Sequence, residues 1–266
     1  MLPLVMLDID GTLLGTKNSV SPAVLDKVRD VREMGMHLAV CTGRISAGLG
    51  LEIAAQLDTE IPHVFHNGAV LAYADGTVFA AETFPKKSAQ ALIEHARAEN
   101  LLLEFYSANQ YFIERDNELS RMHAELLQLE PIIVSDLNDI FASETIVRAQ
   151  WTLYKDEFAT AQQLNVPDIQ LYTARAGHRD DVIFASITKA GVSKGAATRM
   201  VAEHLGFNLK RVMGVGDSAG DTPYLDIVGH PRAMANGDES IKAKYPVVPA
   251  ADDDGVVKAL EQALTL

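Results

Sequence analysis

The chain has a single cysteine, Cys41. An internal disulfide is therefore excluded, and a reducing compartment is expected. No run rich in Lys and Arg occurs, so a phosphate-backbone partner such as DNA or RNA is not expected. No apolar stretch approaches the roughly 20 residues that span a bilayer. The first residues show no basic segment leading into an apolar stretch and a cleavage site. The eight histidines are scattered, with no pair at ligand spacing on a helix, which leaves a zinc site without support. There is no internal repeat and no low-complexity segment. These absences leave a cytoplasmic, soluble protein without nucleic-acid or membrane partners as the expectation, either a monomer or a small homo-oligomer.

What the chain does have is an ordinary globular composition: 266 residues, 48% hydrophobic and 22% charged. That length holds one large domain or two modest ones. There are 36 acidic against 23 basic side chains, a net charge of −13. A small anionic substrate is still compatible, because the local field of a site can oppose the net charge.

The organising stretch is Val5-Met6-Leu7-Asp8-Ile9-Asp10-Gly11-Thr12-Leu13. A short apolar run reads as a buried strand, and it ends in two carboxylates one residue apart. Residues i and i+2 of a strand point to the same side, so Asp8 and Asp10 are expected to face one spot. Like charges that close are costly unless a cation lies between them or one is protonated. Gly11 supplies a sharp turn.

Strand and helix signals then alternate. Ser21-Pro22 opens a helix, with Val24, Val28 and Val31 on one face. Met36 to Cys41 reads as a strand ending in Thr42-Gly43-Arg44, with a helix after it to about Gln56. Val64 to His66 reads as a third strand, ending in Asn67-Gly68, and Asp75-Gly76 carries a hairpin signal. Apolar strands separated by helices predict a parallel sheet covered on both faces, with ligands beyond the strands' C-terminal ends. Asp8, Asp10, Thr42 and Asn67 all lie at such ends.

From about Glu82 to Ile187 the texture changes to amphipathic strands (Leu101–Tyr106, Gln110–Glu114, Thr145–Tyr154, Ile169–Thr173, Val182–Thr188). Helices are predicted at Ser88–Glu99, Glu118–Leu127 and Glu157–Leu164. Alternating strands with helices on one face describe an α+β unit. The α/β pattern resumes with a helix opened by Ser193-Lys194. A strand Val212–Val215 follows, ending in Gly216-Asp217-Ser218-Ala219-Gly220-Asp221, and helical and strand segments then alternate to the end of the chain. The fold class read from this is α/β: a Rossmannoid parallel-sheet core (1–81 and 188–266) with an inserted α+β domain (82–187).

Asp8, Asp10, Asp217 and Asp221 set against Lys194 and the Thr42 hydroxyl make a chemically coherent group. Converging carboxylates suit a hard dication such as Mg2+, which also takes waters and phosphate oxygens. A lysine beside them serves as a point charge for phosphate. A carboxylate can attack phosphorus to give an aspartyl phosphate, and phosphoryl transfer asks mainly for positioning and charge neutralisation.

The four segments Asp8-Ile9-Asp10-Gly11-Thr12-Leu13, Thr42-Gly43-Arg44, Gly191-Val192-Ser193-Lys194-Gly195 and Gly216-Asp217-Ser218…Asp221 resemble, in order and spacing, the motifs of the haloacid dehalogenase-like phosphatases. The large insertion between the second and third, with Asn67-Gly68-Ala69 ahead of it, is similar to the Cof-like branch with a type IIB cap. The resemblance implies Mg2+-dependent hydrolysis of a small phosphomonoester, such as a sugar phosphate, through an aspartyl phosphate on Asp8. It implies that Asp10 protonates the leaving oxygen, then helps to activate water, and offers its backbone carbonyl to Mg2+. Thr42 would bind the phosphoryl group and Lys194 balance its charge. Asp217 and Asp221 would hold Mg2+ or orient its waters, with Asp8 completing the metal site, while Gly43, Arg44 and Asn67 would line the substrate site. The inserted domain would open and close over the site and select the substrate. Gly220 departs from the resemblance, since Asn is common there in this branch.

Other readings stay open at this stage. Arg44 is equally a structural ion pair, Asn67-Gly68 a plain turn, and Asp221 a helix N-cap. Arg115, Arg148 and Arg179 read as solvated or paired charges, and Cys41 as a small packing residue. A sugar phosphomutase, or a catalytically weak phospholigand-binding protein motivated by Gly220, are the alternative functions.

Overall fold

The computed structural model describes all residues except 18, 177 and 178. In chain order the first elements are β1 (Leu4–Leu7), α1 (Pro22–Glu33), β2 (His37–Val40), α2 (Gly48–Leu57), β3 (His63–Phe65), β4 (Val70–Ala72) and β5 (Val78–Ala81). Next come α3 (Lys86–Glu99), β6 (Leu102–Tyr106), β7 (Tyr111–Ile113), α4 (Glu118–Leu127), β8 (Ile132–Ile133), β9 (Arg148–Tyr154), α5 (Phe158–Ala161), β10 (Ile169–Ala176) and β11 (Arg179–Lys189). The chain ends with α6 (Lys194–His204), β12 (Val212–Gly216), α7 (Thr222–Leu225), β13 (His230–Met234), α8 (Glu239–Lys242), β14 (Val247–Val248) and α9 (Gly255–Thr265).

Contacts divide the chain into two compact units. The first is Met1–Arg44, Gly50–Ala80 and Ser193–Leu266; the second is Ile45–Leu49 and Ala81–Val192. The stretch 82–187 read from the sequence falls within the second unit. The five residues Ile45–Leu49, donated from far upstream, have no counterpart in that reading.

The first unit is built on a five-stranded sheet in the order β14-β13-β12-β1-β2, all of whose neighbours are parallel. β1 lies inside it, and Leu4, Val5, Met6 and Leu7 are all fully buried. This is why the strand reads as a continuous apolar run rather than an alternating one. α1 starts as its sequence dictates: Ser21 Oγ accepts the Val24 amide, Pro22 takes the first turn, and Val24, Val28 and Val31 are buried. Each such burial is worth about 1.5–3 kcal/mol. A separate small sheet of β3, β4 and β5 belongs to the same unit.

The second unit carries a six-stranded sheet, β10-β11-β9-β6-β7-β8, antiparallel except where β7 meets β8. One apolar cluster gathers Trp151, Phe105, Leu103, Leu92 and Ile93 with Phe84. Another holds Leu102, Tyr106, Tyr111, Ile113 and Leu119, and takes Ile45 from the upstream segment. The helix expected at 157–164 is shorter here: a 3-10 turn, Lys155–Glu157, precedes α5, which stops at Ala161. Among the described residues, no helix is long and apolar enough to cross a membrane.

Candidate active site

Three neighbouring strands of the first unit hand their C-terminal ends to one place. Beyond β1, the Asp8 amide still donates to Val215 O (3.0 Å), and the Cys41 amide donates to Leu7 O (2.7 Å). The parallel register thus carries Asp8 to the edge where β12 releases Asp217. Gly11 turns the chain with φ +78°, and a Cβ there would lie 2.2 Å from Asp217 Oδ2. Only a residue without a side chain lets the Asp217 carboxylate sit against this turn.

The carboxylates of Asp8, Asp217 and Asp221 each contribute an oxygen to a group lying within 4.8 Å. Lys194 enters from the first turn of α6, whose cap is Ser193 accepting the Ala196 amide. Its Nζ donates to Asp8 Oδ1 at 3.0 Å and to Asp221 Oδ1 at 2.6 Å. The backbone of α6 can approach α7 this closely because Gly195 has no Cβ, which would lie 2.2 Å from Pro223 O.

Burial shapes the electrostatics. Desolvation, then repulsion from Asp221, holds the Asp8 carboxyl well above the ordinary carboxylate range, although Lys194 pulls it down. Desolvation and Asp221 likewise push Asp217 up to about 7. Burial would strip the proton from Lys194, but Asp221 and Asp8 outweigh it and hold the ammonium firmly charged.

This donor set fits a divalent cation. Three carboxylates facing one ammonium leave two negative charges to be met by a cation or, without one, by protons, which is the direction in which Asp8 and Asp217 are shifted. Asp217 Oδ1 is buried and has no hydrogen-bond partner among the described residues. An orphaned anionic oxygen in that position is costly unless something cationic meets it. Asp221 is differently placed. Its Oδ2 accepts the amides of Asp217 and Ser218, both at 3.0 Å, and the Ser218 hydroxyl at 3.2 Å. With Lys194 on Oδ1, it organises the loop that presents Asp217. Both Asp221 oxygens are thus already partnered, whereas Asp217 Oδ1 is not. The helix N-cap read for Asp221 is corrected: its side chain makes no cap bond to α7 and instead closes a capping box with Ser218 in the 3-10 turn Ala219–Asp221 ahead of it.

Asp10 is not among the three clustered carboxylates. Its side chain is 59% exposed and is gripped by Arg44, whose Nε and Nη2 donate to the two carboxylate oxygens at 2.8 and 2.7 Å. A metal role for Asp10 would thus belong to its backbone carbonyl, as the resemblance implied. Thr42 is buried, and its Oγ1 accepts the Arg44 amide at 3.1 Å, which leaves its own proton to donate. Asn67 lies over Gly43, where a Cβ would be 2.9 Å from Asn67 Oδ1. Asn67 holds φ 56°, a left-handed conformation that Asn tolerates. Its amide donates to Thr42 O at 3.0 Å. Gly68 packs against Ser193, tying this loop to the start of α6.

Three residues escaped the sequence reading. Asn236 Nδ2 donates to Gly11 O (2.8 Å), and its Oδ1 accepts the Ala251 amide (2.9 Å). The Asp238 amide donates to Asp217 O (2.7 Å), and Asp238 Oδ2 accepts the Ala219 amide (3.0 Å). Gly237 makes room, since a Cβ there would lie 2.3 Å from Asp217 O. Together they fix the two loops that carry Gly11 and Asp217. Their signal was position: they follow Met234, the end of another parallel strand at the same sheet edge.

Gly220 is exposed, and a Cβ there would find only Ser218 Oγ at 3.4 Å, so the loop has room for a side chain. Cys41 is buried and its thiol is pushed up to about 12 by desolvation, which makes it unreactive. A second group, His37, Asp58 and Glu60, is already filled by Arg32, whose guanidinium bridges Asp58 at 2.7 Å and Glu60 at 2.6 Å. Arg148 is buried with its guanidinium 3.8 Å from the centre of the Tyr106 ring. Arg115 bonds Asn100 and Leu101 O, and Arg179 pairs with Asp181.

Residues 5–260 match the family described as haloacid dehalogenase-like hydrolase. The chain is similar to phosphatase YwpJ of Bacillus subtilis, 24% identical over 98% of this chain and 99% of that one. It is also similar to pyridoxal phosphate phosphatase YbhA of Escherichia coli, 26% identical over 92% of each. Among solved structures, BT1666 of Bacteroides thetaiotaomicron, described as a phosphatase of the HAD superfamily, superposes with a TM-score of 0.84. It is 22% identical, over 100% of this chain and 96% of that one.

Proposed function

Because the chain belongs to the haloacid dehalogenase-like hydrolase family and is a phosphatase of its Cof-like branch, we propose that it hydrolyses small phosphomonoesters, sugar phosphates or similar metabolites, through an aspartyl phosphate on Asp8. The observation that carries this reading is the Lys194 ammonium shared between Asp8 and Asp221 beside the unpartnered Asp217 oxygen.

In this scheme an Asp8 oxygen attacks phosphorus as the ester oxygen departs with a proton from Asp10. Water, deprotonated by Asp10, then attacks the aspartyl phosphate and returns Asp8 as carboxylate. Thr42 donates its hydroxyl proton to a phosphoryl oxygen, and Lys194 offsets the charge shared by Asp8 and the phosphoryl group. Mg2+, held by the Asp8 and Asp217 carboxylates and the Asp10 carbonyl, would supply charge neutralisation on phosphate oxygens. The second unit is the substrate-selecting cap. Pyridoxal phosphate, named for YbhA, is a phosphate ester of a small metabolite and so belongs to the class proposed. One buried cysteine agrees with a cytoplasmic enzyme.

The test is phosphate release from p-nitrophenyl phosphate and from a panel of phosphorylated metabolites, with and without Mg2+. No release from any of them in Mg2+ would sink the reading. Asp217→Asn is expected to raise the Mg2+ concentration for half-maximal activity by more than about 100-fold, since even residues supporting a ligand cost 10–100-fold. The sign with pH follows from Asp217, which titrates at about 7 without metal. Below that value protons occupy the ligand and compete. Mg2+ affinity measured by calorimetry in wild type is expected to rise through pH 7 with proton release, and this rise should be smaller in Asp217→Asn, where only the Asp8 carboxyl, itself held above its ordinary range, still competes.

A further inference from the structure

Arg44 holds Asp10 through both carboxylate oxygens, at 2.8 and 2.7 Å. The backbone of Arg44 is pinned on both sides: its amide donates to Thr42 Oγ1, and its carbonyl accepts the His66 amide at 2.9 Å. The Arg44 side chain is only 19% exposed. It also lies in the field of Asp8, which together with the Asp10 bond keeps it charged against the cost of burial. In this arrangement both oxygens of the proposed proton donor are paired with Arg44, and a leaving group must compete with the guanidinium for them.

The fork that fits a carboxylate also fits a phosphoryl group, and a dianion is the stronger partner. Arg44 follows Thr42 and Gly43 in the loop that the proposed function assigns to the phosphoryl group. We propose that Arg44 is a positioning residue that trades partners. It holds Asp10 in a resting ion pair and passes to the phosphoryl oxygens when substrate binds, which releases Asp10 to serve the leaving oxygen only in an occupied site. No covalent bond changes in this exchange: one ion pair opens and another forms. The inference rests on the phosphatase reading and adds to it that Asp10 and phosphate compete for one guanidinium.

Competition of this kind is read by a double-mutant cycle on binding, without turnover. The probe is inorganic phosphate, titrated by calorimetry into the Mg2+-loaded full chain. Asp10→Asn is expected to tighten phosphate binding by on the order of 10-fold, because Arg44 no longer has to leave a carboxylate. Arg44→Gln is expected to weaken it by a similar factor. In the Arg44→Gln background, Asp10→Asn should change nothing. An equal tightening in both backgrounds would mean that Asp10 acts only as a nearby negative charge, and would overturn the exchange. So would an Asp10→Asn variant that binds phosphate as wild type does. Arg44→Lys, which keeps the charge without the fork, should fall between wild type and Arg44→Gln; melting curves of all variants control for folding. Hydrolysis of p-nitrophenyl phosphate by wild type is scored separately. If it occurs while phosphate binding is undetectable, the exchange fails and the phosphatase reading stands. If it does not occur with any substrate, that reading fails, and the exchange with it.

Discussion

Asp8→Asn is expected to lose on the order of 10^4-fold or more in kcat on p-nitrophenyl phosphate while its metal-free form melts at a higher temperature than wild type. The first effect is the removal of a covalent nucleophile, which in enzymes whose residues act as a unit costs this much or more. The second follows from the electrostatics. Burial and Asp221 hold the Asp8 carboxyl above its ordinary range, so its ionisation is less favourable in the folded chain than in the unfolded one. By linkage, stability falls as pH rises from the ordinary carboxylate pKa of about 3.9 through the raised folded value. At neutral pH without metal, the wild-type site therefore carries a penalty that Asn does not. Asn also keeps an oxygen to accept from Lys194, which bonds Asp8 Oδ1 at 3.0 Å. A gain of a few degrees is expected, at about 2–4 °C per kcal/mol for a chain of this size. Mg2+ should raise the wild-type melting point more than that of the variant. Equal turnover by the two proteins in Mg2+ would remove Asp8 from the reaction.

Glu104→Ala is expected to destabilise the second unit by about 3–5 kcal/mol, the range found when one partner of a buried charged pair is deleted. Glu104 is completely buried. It accepts from the Tyr106 hydroxyl, from Thr152 Oγ1 at 2.9 Å and from Gln150 Nε2 at 3.3 Å, and it meets His123 Nδ1 at 2.9 Å. Removing the carboxylate strands all of these groups away from water at once. Burial alone would raise the Glu104 pKa, but His123 and the hydroxyl donors outweigh it and hold the carboxyl below its usual range. For a depressed carboxyl, the stability is present above the unfolded pKa of about 4.3 and is lost as pH falls through the folded value. Wild type should therefore show an acid transition in this unit below about pH 4 that is absent from Glu104→Gln. Differential scanning calorimetry across pH 3–7 measures both effects. An unchanged melting point for Glu104→Ala would show that the network contributes no net stability.

The strands of the first sheet were legible because parallel strands buried on both faces leave short apolar runs, and β1 and β12 each end in a carboxylate. The Asp8/Asp10 geometry was not. A period of two holds only inside a strand, and β1 ends at Leu7. Past that point the Gly11 turn sends Asp8 inward to Lys194 and Asp10 outward to Arg44. The same limit hid Asn236. In an exposed Asn-Gly pair, the side chain reads as turn chemistry, and nothing local reveals that its partner is Gly11, 225 positions away. Ile45–Leu49 were invisible for another reason. An apolar residue after Thr42-Gly43-Arg44 reports that it will be buried, but not in which of two cores.

That last point bears on how the protein can be cut. Ile45 is 2% exposed within the cluster built by Leu102, Tyr106, Tyr111, Ile113 and Leu119. A recombinant fragment spanning 81–192 alone would begin life with a hole where Ile45 belongs and an oily wall facing solvent. Excising this unit as a soluble piece calls for a graft that brings Ile45–Leu49 along, or for a polar replacement of the wall it covers.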